Sequence, residues 1–167
     1  NLDLALDKLE RADRLVPGDP RIAADLAVAH VRRAFFSRDE SDAPQLDAAI
    51  RFAREALEHG PDLVGSHLAM GLVELNIGDP TAAAGYFRVA ISRAPQSADA
   101  HDQLGRMLIE AGFLAQGRAR LEESLAISPT STEPRWSLER ARALEGEWDG
   151  HDDRIAPLLL VPSEYLL

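Results

Sequence analysis

The segment GDPTAAAGYFRVAISRAP, residues 78–95, recurs in altered form 34 residues later as GFLAQGRARLEESLAISP, residues 112–129. The residues that return are of similar size and chemistry at equivalent positions. These pairs are Gly78 and Gly112, Phe87 and Leu121, Ile91 and Leu125, and Pro95 and Pro129. A fixed period of this length indicates a repeat architecture, in which each unit is one small group of secondary-structure elements.

Apolar residues at helical spacing occur twice within each period. In the first copy they predict a helix over about 62–76 with Asp62 as its N-cap, and a second over about 80–93 with Asp79 as its N-cap. Gly78 lies between the two helices, where a positive φ costs glycine little. The unit is therefore predicted to be a helix–turn–helix.

The second copy repeats the same signals. Ser97 is the predicted N-cap of a helix that reaches about 111, and Gly112 supplies the turn. A further helix starts at about 114 and ends before Pro129, since proline cannot continue a helix. Small residues are expected where paired helices cross, and large ones between consecutive units. The small residues are Gly71, Ala83, Gly105 and Gly117, and the large ones are Phe87 and Leu121.

With this spacing, residues 64–97 and 98–131 resemble tetratricopeptide repeats, whose pattern has the same period and the same order of small, large, small and proline residues. The resemblance implies an all-α fold, a right-handed superhelical solenoid of antiparallel helix pairs. The expected organisation is one solenoid domain: 1–17, the second helix of a truncated repeat; 18–63, a repeat with a ten-residue insertion; 64–97 and 98–131, regular repeats; and 132–167, a degenerate repeat or capping segment.

The insertion is expected around residues 34–45. The helix that begins near Asp19 and Pro20 is predicted to overrun, with Phe35 and Phe36 extending its apolar stripe. The charged sequence SRDESDAP then forms a loop. A tolerated surface loop is the favoured interpretation, and a lip on a binding groove is the alternative.

The two ends of the chain carry weaker signals. Trp136 and Leu138 are assigned to the first helix of the degenerate unit, and Pro157 is expected to shorten or kink the second. The apolar segment at 158–167 is expected to fold back as a cap or to continue into further sequence. Because the chain opens inside a unit, both ends are expected to derive from something longer.

Composition excludes several function classes. The net charge of −10 disfavours binding to nucleic acid or to an anionic membrane. The absence of cysteine removes disulfides, thiolate metal sites and thiol nucleophiles. No apolar run reaches the roughly 20 residues of a membrane span.

Signals for catalysis or metal binding are weak. His67 and His101 occupy equivalent repeat positions, about a helix diameter apart, and are interpreted as packing residues and not as metal ligands. The sequence HDD at 151–153 is interpreted as an acidic first turn of a helix. Since no nucleophile motif, zinc motif or phosphate loop is present, we predict no enzyme activity, no catalytic residue, no metal and no cofactor.

A superhelix of helix pairs has a concave surface lined by the first helix of each unit. The groove is predicted to combine an apolar floor with charges, which suits a peptide with apolar anchors and at least one basic residue. One tetratricopeptide subgroup holds a terminal carboxylate with lysine and asparagine, but the groove positions here carry no lysine and little asparagine. The predicted partner-binding residues are Val28, Val31, Arg32, Leu68, Leu72, Leu75, Asn76, Asp102, Arg106, Ile109 and Glu110. Each could instead be a solvated or inter-unit position.

Two functions therefore remain open. The favoured one is a non-catalytic scaffold that binds a peptide or partner protein in the groove, with self-association through the solenoid ends as a further possibility. The alternative is a regulatory or oligomerisation arm of a larger bacterial signalling protein, such as a Ser/Thr kinase, a nucleotide cyclase or a transcriptional regulator. The expected location is the cytoplasm. A periplasmic location stays open because a leader could precede Asn1.

Overall fold

The computed structural model describes residues 2–36 and 43–146, and all regular secondary structure in these ranges is α-helical. The all-α prediction is therefore confirmed for the described chain. The helices are α1 (Leu2–Leu15), α2 (Pro20–Phe36), α3 (Ala43–His59), α4 (Val64–Ile77), α5 (Pro80–Arg93), α6 (Ala98–Glu110), α7 (Leu114–Ile127) and α8 (Glu133–Leu144).

Most predicted helix ends are confirmed by the backbone and its caps. The Asp79 carboxylate accepts a hydrogen bond from the Ala82 amide at 2.8 Å at the start of α5. The Ser97 hydroxyl accepts one from the Ala100 amide at 3.3 Å at the start of α6. Gly78, which ends α4, has φ of 90°. Polar caps and glycine therefore set these helix ends, because they satisfy helix-end groups or adopt left-handed backbone cheaply.

The predicted N-cap at Asp62 is wrong. The residue before α4 is Leu63, and no side chain caps this helix. Asp62 instead lies in the preceding turn, exposed, and forms an ion pair with Arg93 at the end of α5. The helix begins two residues later than expected because the turn after α3 is closed by its own backbone bond, from the Leu63 amide to the Gly60 carbonyl at 3.1 Å.

The helices form a stack of hairpins. α2 packs on α3, α4 on α5 and α6 on α7, while α1 covers α2 at one end and α8 covers α6 and α7 at the other. Among the first helices, α2 also lies beside α4, and α6 beside α8. This order places α2, α4, α6 and α8 on one side of the stack, and α1, α3, α5 and α7 on the other.

The start of the predicted insertion differs from expectation in one respect. α2 does run on to Phe36, as predicted, but the Phe35 and Phe36 side chains are 74% and 73% exposed and pack edge to face against each other. Because both side chains are exposed, they do not extend the buried stripe. The predicted charged loop falls largely on residues 37–42, outside the described residues.

The core consists of three clusters of buried residues, and each cluster joins neighbouring units. Phe87 of α5 is fully buried and shares a cluster with Leu104 and Leu108 of α6. Leu121 of α7 is fully buried with Leu138 of α8. The large residues of the repeat therefore fill the space between consecutive units, as predicted, and each unit depends on the next for its burial.

Glycines allow the paired helices to touch through their backbones. A Cβ on Gly117 would lie 2.8 Å from the Gly105 carbonyl oxygen and 2.6 Å from a side-chain carbon of Ile109. Both distances are closer than real Cβ contacts allow. A Cβ on Gly71 would overlap the ring of Phe87 in the same way. The predicted role of these glycines in close helix crossing is confirmed.

The variant Gly117→Ala is expected to lower the free energy of unfolding by about 1–3 kcal/mol, because the methyl group forces α6 and α7 apart. Gly85→Ala provides a matched control, since Gly85 is an exposed residue within α5 with open space around it. This control should instead raise stability by about 0.5–1 kcal/mol, the helix preference of alanine over glycine. Urea unfolding of both variants measures the difference, and equal effects would contradict the close crossing.

One hydrogen bond recurs at three successive junctions between units. Nε2 of His67 lies 2.8 Å from the Pro61 carbonyl oxygen, and Nε2 of His101 lies 3.0 Å from that of Pro95. Since a carbonyl only accepts, each Nε2 carries the proton. At the next repeat position, 34 residues on, the Arg135 guanidinium donates to the Pro129 carbonyl. These bonds confirm a structural role for both histidines.

The last described helix, α8, contains Trp136 and Leu138, the two residues predicted to lie in it. Leu138 is buried, while Trp136 is 44% exposed. The predictions for Pro157, for the HDD sequence at 151–153 and for the apolar segment at 158–167 lie outside the described residues. None of the described helices is both long and apolar enough to cross a membrane.

Candidate functional site

The first helices of the stack enclose an open cleft of about 430 Å³. Its walls come from α2, α4 and α6, and its far end is closed by the start of α8. We call this cleft the groove. It is lined by Ala24, Asp25, Val28, Arg32, Gly65, Leu68, Leu72, Asp99, Asp102, Gln103, Arg106, Ser124, Ser131, Glu133 and Pro134.

Six of the residues predicted for partner binding lie together in the groove. Each of them lies on the first helix of a unit, next in sequence to a residue of the face that packs on the second helix. They are Val28, Arg32, Leu68, Leu72, Asp102 and Arg106. Leu68 and Leu72 are half-buried, and both pack on the core cluster beneath them, so they form the apolar floor.

Two predicted groove residues lie in the core. Val31 is only 5% exposed, because it lies in the core cluster that α2 forms with α1, α3 and α4. Ile109 is 4% exposed, because α8 covers that part of α6 and because Ile109 fits against Gly117. Helical periodicity gave the correct helix for both residues but not the contacts between neighbouring first helices.

Three further predicted residues lie beside the groove. Leu75 packs against the cluster around Phe87. Asn76 donates from its side-chain amide to the Leu72 carbonyl at 2.8 Å, in the last turn of α4. The carboxylate of Glu110 is held through both oxygens by Arg140 of α8.

A smaller depression continues from the groove between α6 and α8. It shares Arg106 and Glu133 with the groove and contains the exposed ring of Trp136. The Glu110 and Arg140 pair forms its outer edge. The concave surface therefore extends past the groove onto an aromatic side chain, which sequence reasoning had assigned only to the helix.

Sequence reasoning missed three acidic residues in the groove. Asp25 lies on α2, Asp99 in the first turn of α6, and Glu133 at the first position of α8. The acidic first turns of α6 and α8 were visible as helix-start signals, which favour negative charge. Their convergence on one cleft depends on how the helix starts stack, which the sequence does not specify.

The groove has an excess of negative charge. Four carboxylates, those of Asp25, Asp99, Asp102 and Glu133, face two guanidinium groups, those of Arg32 and Arg106. Burial raises the pKa of Asp25. A hydrogen bond to its own backbone amide and one from Thr132 lower the pKa of Glu133.

Asp102 is the most deeply buried acid of the groove. It is 8% exposed, and burial raises its pKa to about 6 against the opposing effect of Arg106. The Oδ2 atom lies 3.8 Å from the nearest guanidinium nitrogen of Arg106, which is longer than a hydrogen bond. The Oδ1 atom is buried and has no hydrogen-bond donor in the described part of the chain. Asp102 is thus a carboxylate with incomplete pairing.

Within residues 2–36 and 43–146, no three histidine or acidic side chains lie close enough together to hold a metal ion. The His67 and His101 rings each donate to a backbone carbonyl. The groove can therefore supply apolar contact, negative charge and hydrogen-bond acceptors to a bound molecule.

No protein-family model matches the sequence, and no curated protein matches it either. Solved structures do match the fold. A tetratricopeptide protein of Thermus thermophilus, TTC0263, is 19% identical with a TM-score of 0.73, over 85% of this chain and 73% of its own. MamA is 17% identical with a TM-score of 0.62, over 87% of this chain and 80% of its own.

A third structure, the APC/C hetero-tetramer Cut9–Hcn1, is 21% identical with a TM-score of 0.65, over 84% of this chain and 27% of the matched chain. Identities this low establish the fold alone. The stacked helix pairs, the 34-residue period and these structural matches agree. The chain therefore has the same fold as the Thermus thermophilus tetratricopeptide protein, a superhelical solenoid of antiparallel helix pairs.

Proposed function

We propose that the chain is a non-catalytic scaffold that binds a segment of a partner protein in its concave groove. The observation that supports this most is the combination of a leucine floor, from Leu68 and Leu72, with an acidic rim in one open cleft. An apolar floor gives affinity by burial, and the charges orient the bound segment and select its sign.

The proposed ligand is a peptide segment with apolar anchors and at least one basic residue. Two carboxylates are in excess over guanidinium groups along the groove, so a cationic segment is attracted and an acidic one is repelled. A terminal carboxylate is a poor ligand here for the same reason.

One structural neighbour agrees with a role in protein binding. It was solved in the Cut9–Hcn1 hetero-tetramer, so a chain of this fold is assembled with another protein there. The fold supports the general role, and the charges of this groove support the particular ligand class.

The double variant Asp25→Lys with Asp99→Lys tests the groove. Both positions are exposed, so the fold should persist, while the groove changes from an excess of negative to an excess of positive charge. We expect capture of basic, leucine-containing peptides from a short-peptide array to fall by at least about tenfold.

The matched control is Asp47→Lys with Glu58→Lys, which makes the same charge change on exposed positions of α3, outside the groove. This control should retain capture, and circular dichroism should show equal helix content in both variants. Equal loss in the two variants would mean that net charge alone governs capture, and unchanged capture in both would place the partner surface elsewhere. Aspartate at Leu72 or Ile109 is a poorer test, because both residues contribute to the core.

The alternative, a regulatory or oligomerisation arm of a larger bacterial signalling protein in the cytoplasm, is compatible with the same groove. An immunoblot of the source cells with an antibody to the chain distinguishes the two. A band near 18.2 kDa supports a free-standing scaffold, and a band several-fold larger supports an arm.

A further inference from the structure

The incomplete pairing of Asp102 suggests which chemical group of a ligand the groove binds. The residue is more than nine-tenths buried, yet it lines the groove. Its Oδ1 atom has no donor among the described residues, although buried polar atoms normally have one. A buried carboxylate without a full set of hydrogen-bond donors lowers the stability of the folded chain unless a bound partner supplies a donor.

No group of the described chain completes this pairing. The Ser124 hydroxyl, nearby in the groove lining, donates to the Ala98 carbonyl at 2.9 Å. Arg106 stays at 3.8 Å from Oδ2, and its side chain is about half exposed. The α4 residues that line the groove are Gly65, Leu68 and Leu72, and none of them has a hydrogen-bond donor in its side chain.

The other acidic groups around Asp102 favour the binding of a cation beside it. Asp99 on the same helix and Glu133 on α8 both raise its pKa further, and Arg106 alone lowers it. Across the groove, α2 presents one acid and one base, Asp25 and Arg32.

We propose that Asp102 is the subsite for one lysine or arginine side chain of the bound segment, whose cation pairs with Oδ2 more closely than Arg106 does. This inference rests on the proposed function. The incoming cation displaces the loosely held Arg106, and apolar neighbours of the basic residue cover Leu68 and Leu72. The cation engages Oδ2, the oxygen nearer to Arg106, because Oδ1 is buried beyond its reach.

Binding at this subsite depends on pH in a defined direction. A lysine or arginine binds the ionised form of Asp102, which is the minor form below about pH 6. The bound cation lowers the pKa of the carboxyl, so affinity is highest above about pH 6 and falls as the pH falls through it. Asp25, whose pKa is also raised by burial, changes affinity in the same direction.

The test is a selection of random peptides displayed on phage against the full chain at about pH 7.5, followed by affinity measurements on the enriched peptides at about pH 7.5 and about pH 5. The expected peptides contain lysine or arginine beside leucine or phenylalanine. Replacement of the basic residue by norleucine, and the protein variant Asp102→Asn, should each weaken binding by about tenfold or more. Asp102→Asn should also remove most of the pH dependence.

Two further variants complete the test, one that removes the competing cation and one that is a control. Arg106→Gln should strengthen binding of the basic peptides by about two- to fivefold, since it removes the competing cation. Asp47→Asn, an exposed acid on α3, should leave affinity unchanged. Enriched peptides without basic residues, or equal affinity for the wild type and Asp102→Asn, would overturn the subsite and leave the groove as a binding surface. Failure to enrich any peptide would overturn both the subsite and the proposed function.

Discussion

Replacement of Phe87 by alanine is expected to lower the free energy of unfolding by about 3–5 kcal/mol. The Phe87 ring is fully buried, fills the space against Gly71, and contacts the cluster around Leu104 in the next unit. Its removal leaves a cavity where two units join, and the backbone beside Gly71 has no side chain with which to fill it. Urea unfolding followed by circular dichroism measures the loss.

Phe113→Ala is the matched control for this prediction. Phe113 is 56% exposed at the start of α7. The same change in side-chain size there should cost less than about 1 kcal/mol, because little apolar surface is lost from the core. If the two variants lose equal stability, Phe87 does not join the units as its burial indicates.

Asp102→Asn is expected to raise the free energy of unfolding by about 2–3 kcal/mol at about pH 7.5. Burial raises the pKa of this carboxyl from 3.8 to about 6. The folded chain therefore binds a proton in a range where the unfolded chain has lost it. The contribution of Asp102 to wild-type stability consequently falls as the pH rises from about 4 to about 6, and the deficit persists above that range.

Asparagine has no proton to lose, so the advantage of Asp102→Asn should disappear near about pH 4. Unfolding of wild type and variant at several pH values measures this difference, and the contributions of all other groups cancel in the comparison. Asp47→Asn should show no comparable gain at any pH. A variant less stable than the wild type at about pH 7.5 would mean that the Asp102 carboxylate is satisfied in the folded chain.

The two results expected for Asp102→Asn have opposite signs, one for stability and one for peptide binding. Such opposition is typical of a residue retained for function at a cost to stability. A merely structural aspartate would lose both stability and binding when replaced.

The order of helices and turns could be predicted from the sequence because the signals are local. Gly78, Asp79 and Pro95 act within one or two turns of their own backbone, and α5 begins and ends where they predict. The small size of Gly71 and the large size of Phe87 were also accessible, because residues of similar size recur at a fixed period, but the contact between the two was not predicted. The failed cap at Asp62 arose where a backbone turn displaced the helix start.

The groove could be predicted only in part, because its shape depends on contacts between units. Periodicity identified Leu68, Leu72 and Asp102 on the correct face. It could not show that Val31 and Ile109 are buried, since their core clusters join residues of several helices. The acidic rim was missed for a related reason: its members belong to three separate helices.

The recurring hydrogen bond to a proline carbonyl makes the unit boundaries chemically equivalent. The carbonyl of Pro95 and that of Pro129 each receive a donor from the residue six positions later, in the following unit. A second copy of residues 98–131 inserted after the first would therefore bring its own His101 to the carbonyl of the first copy's Pro129. Because the bond joins residues at a fixed spacing, a repeat of the same length can form it again. The solenoid can therefore be lengthened by whole units that keep the existing contact between units.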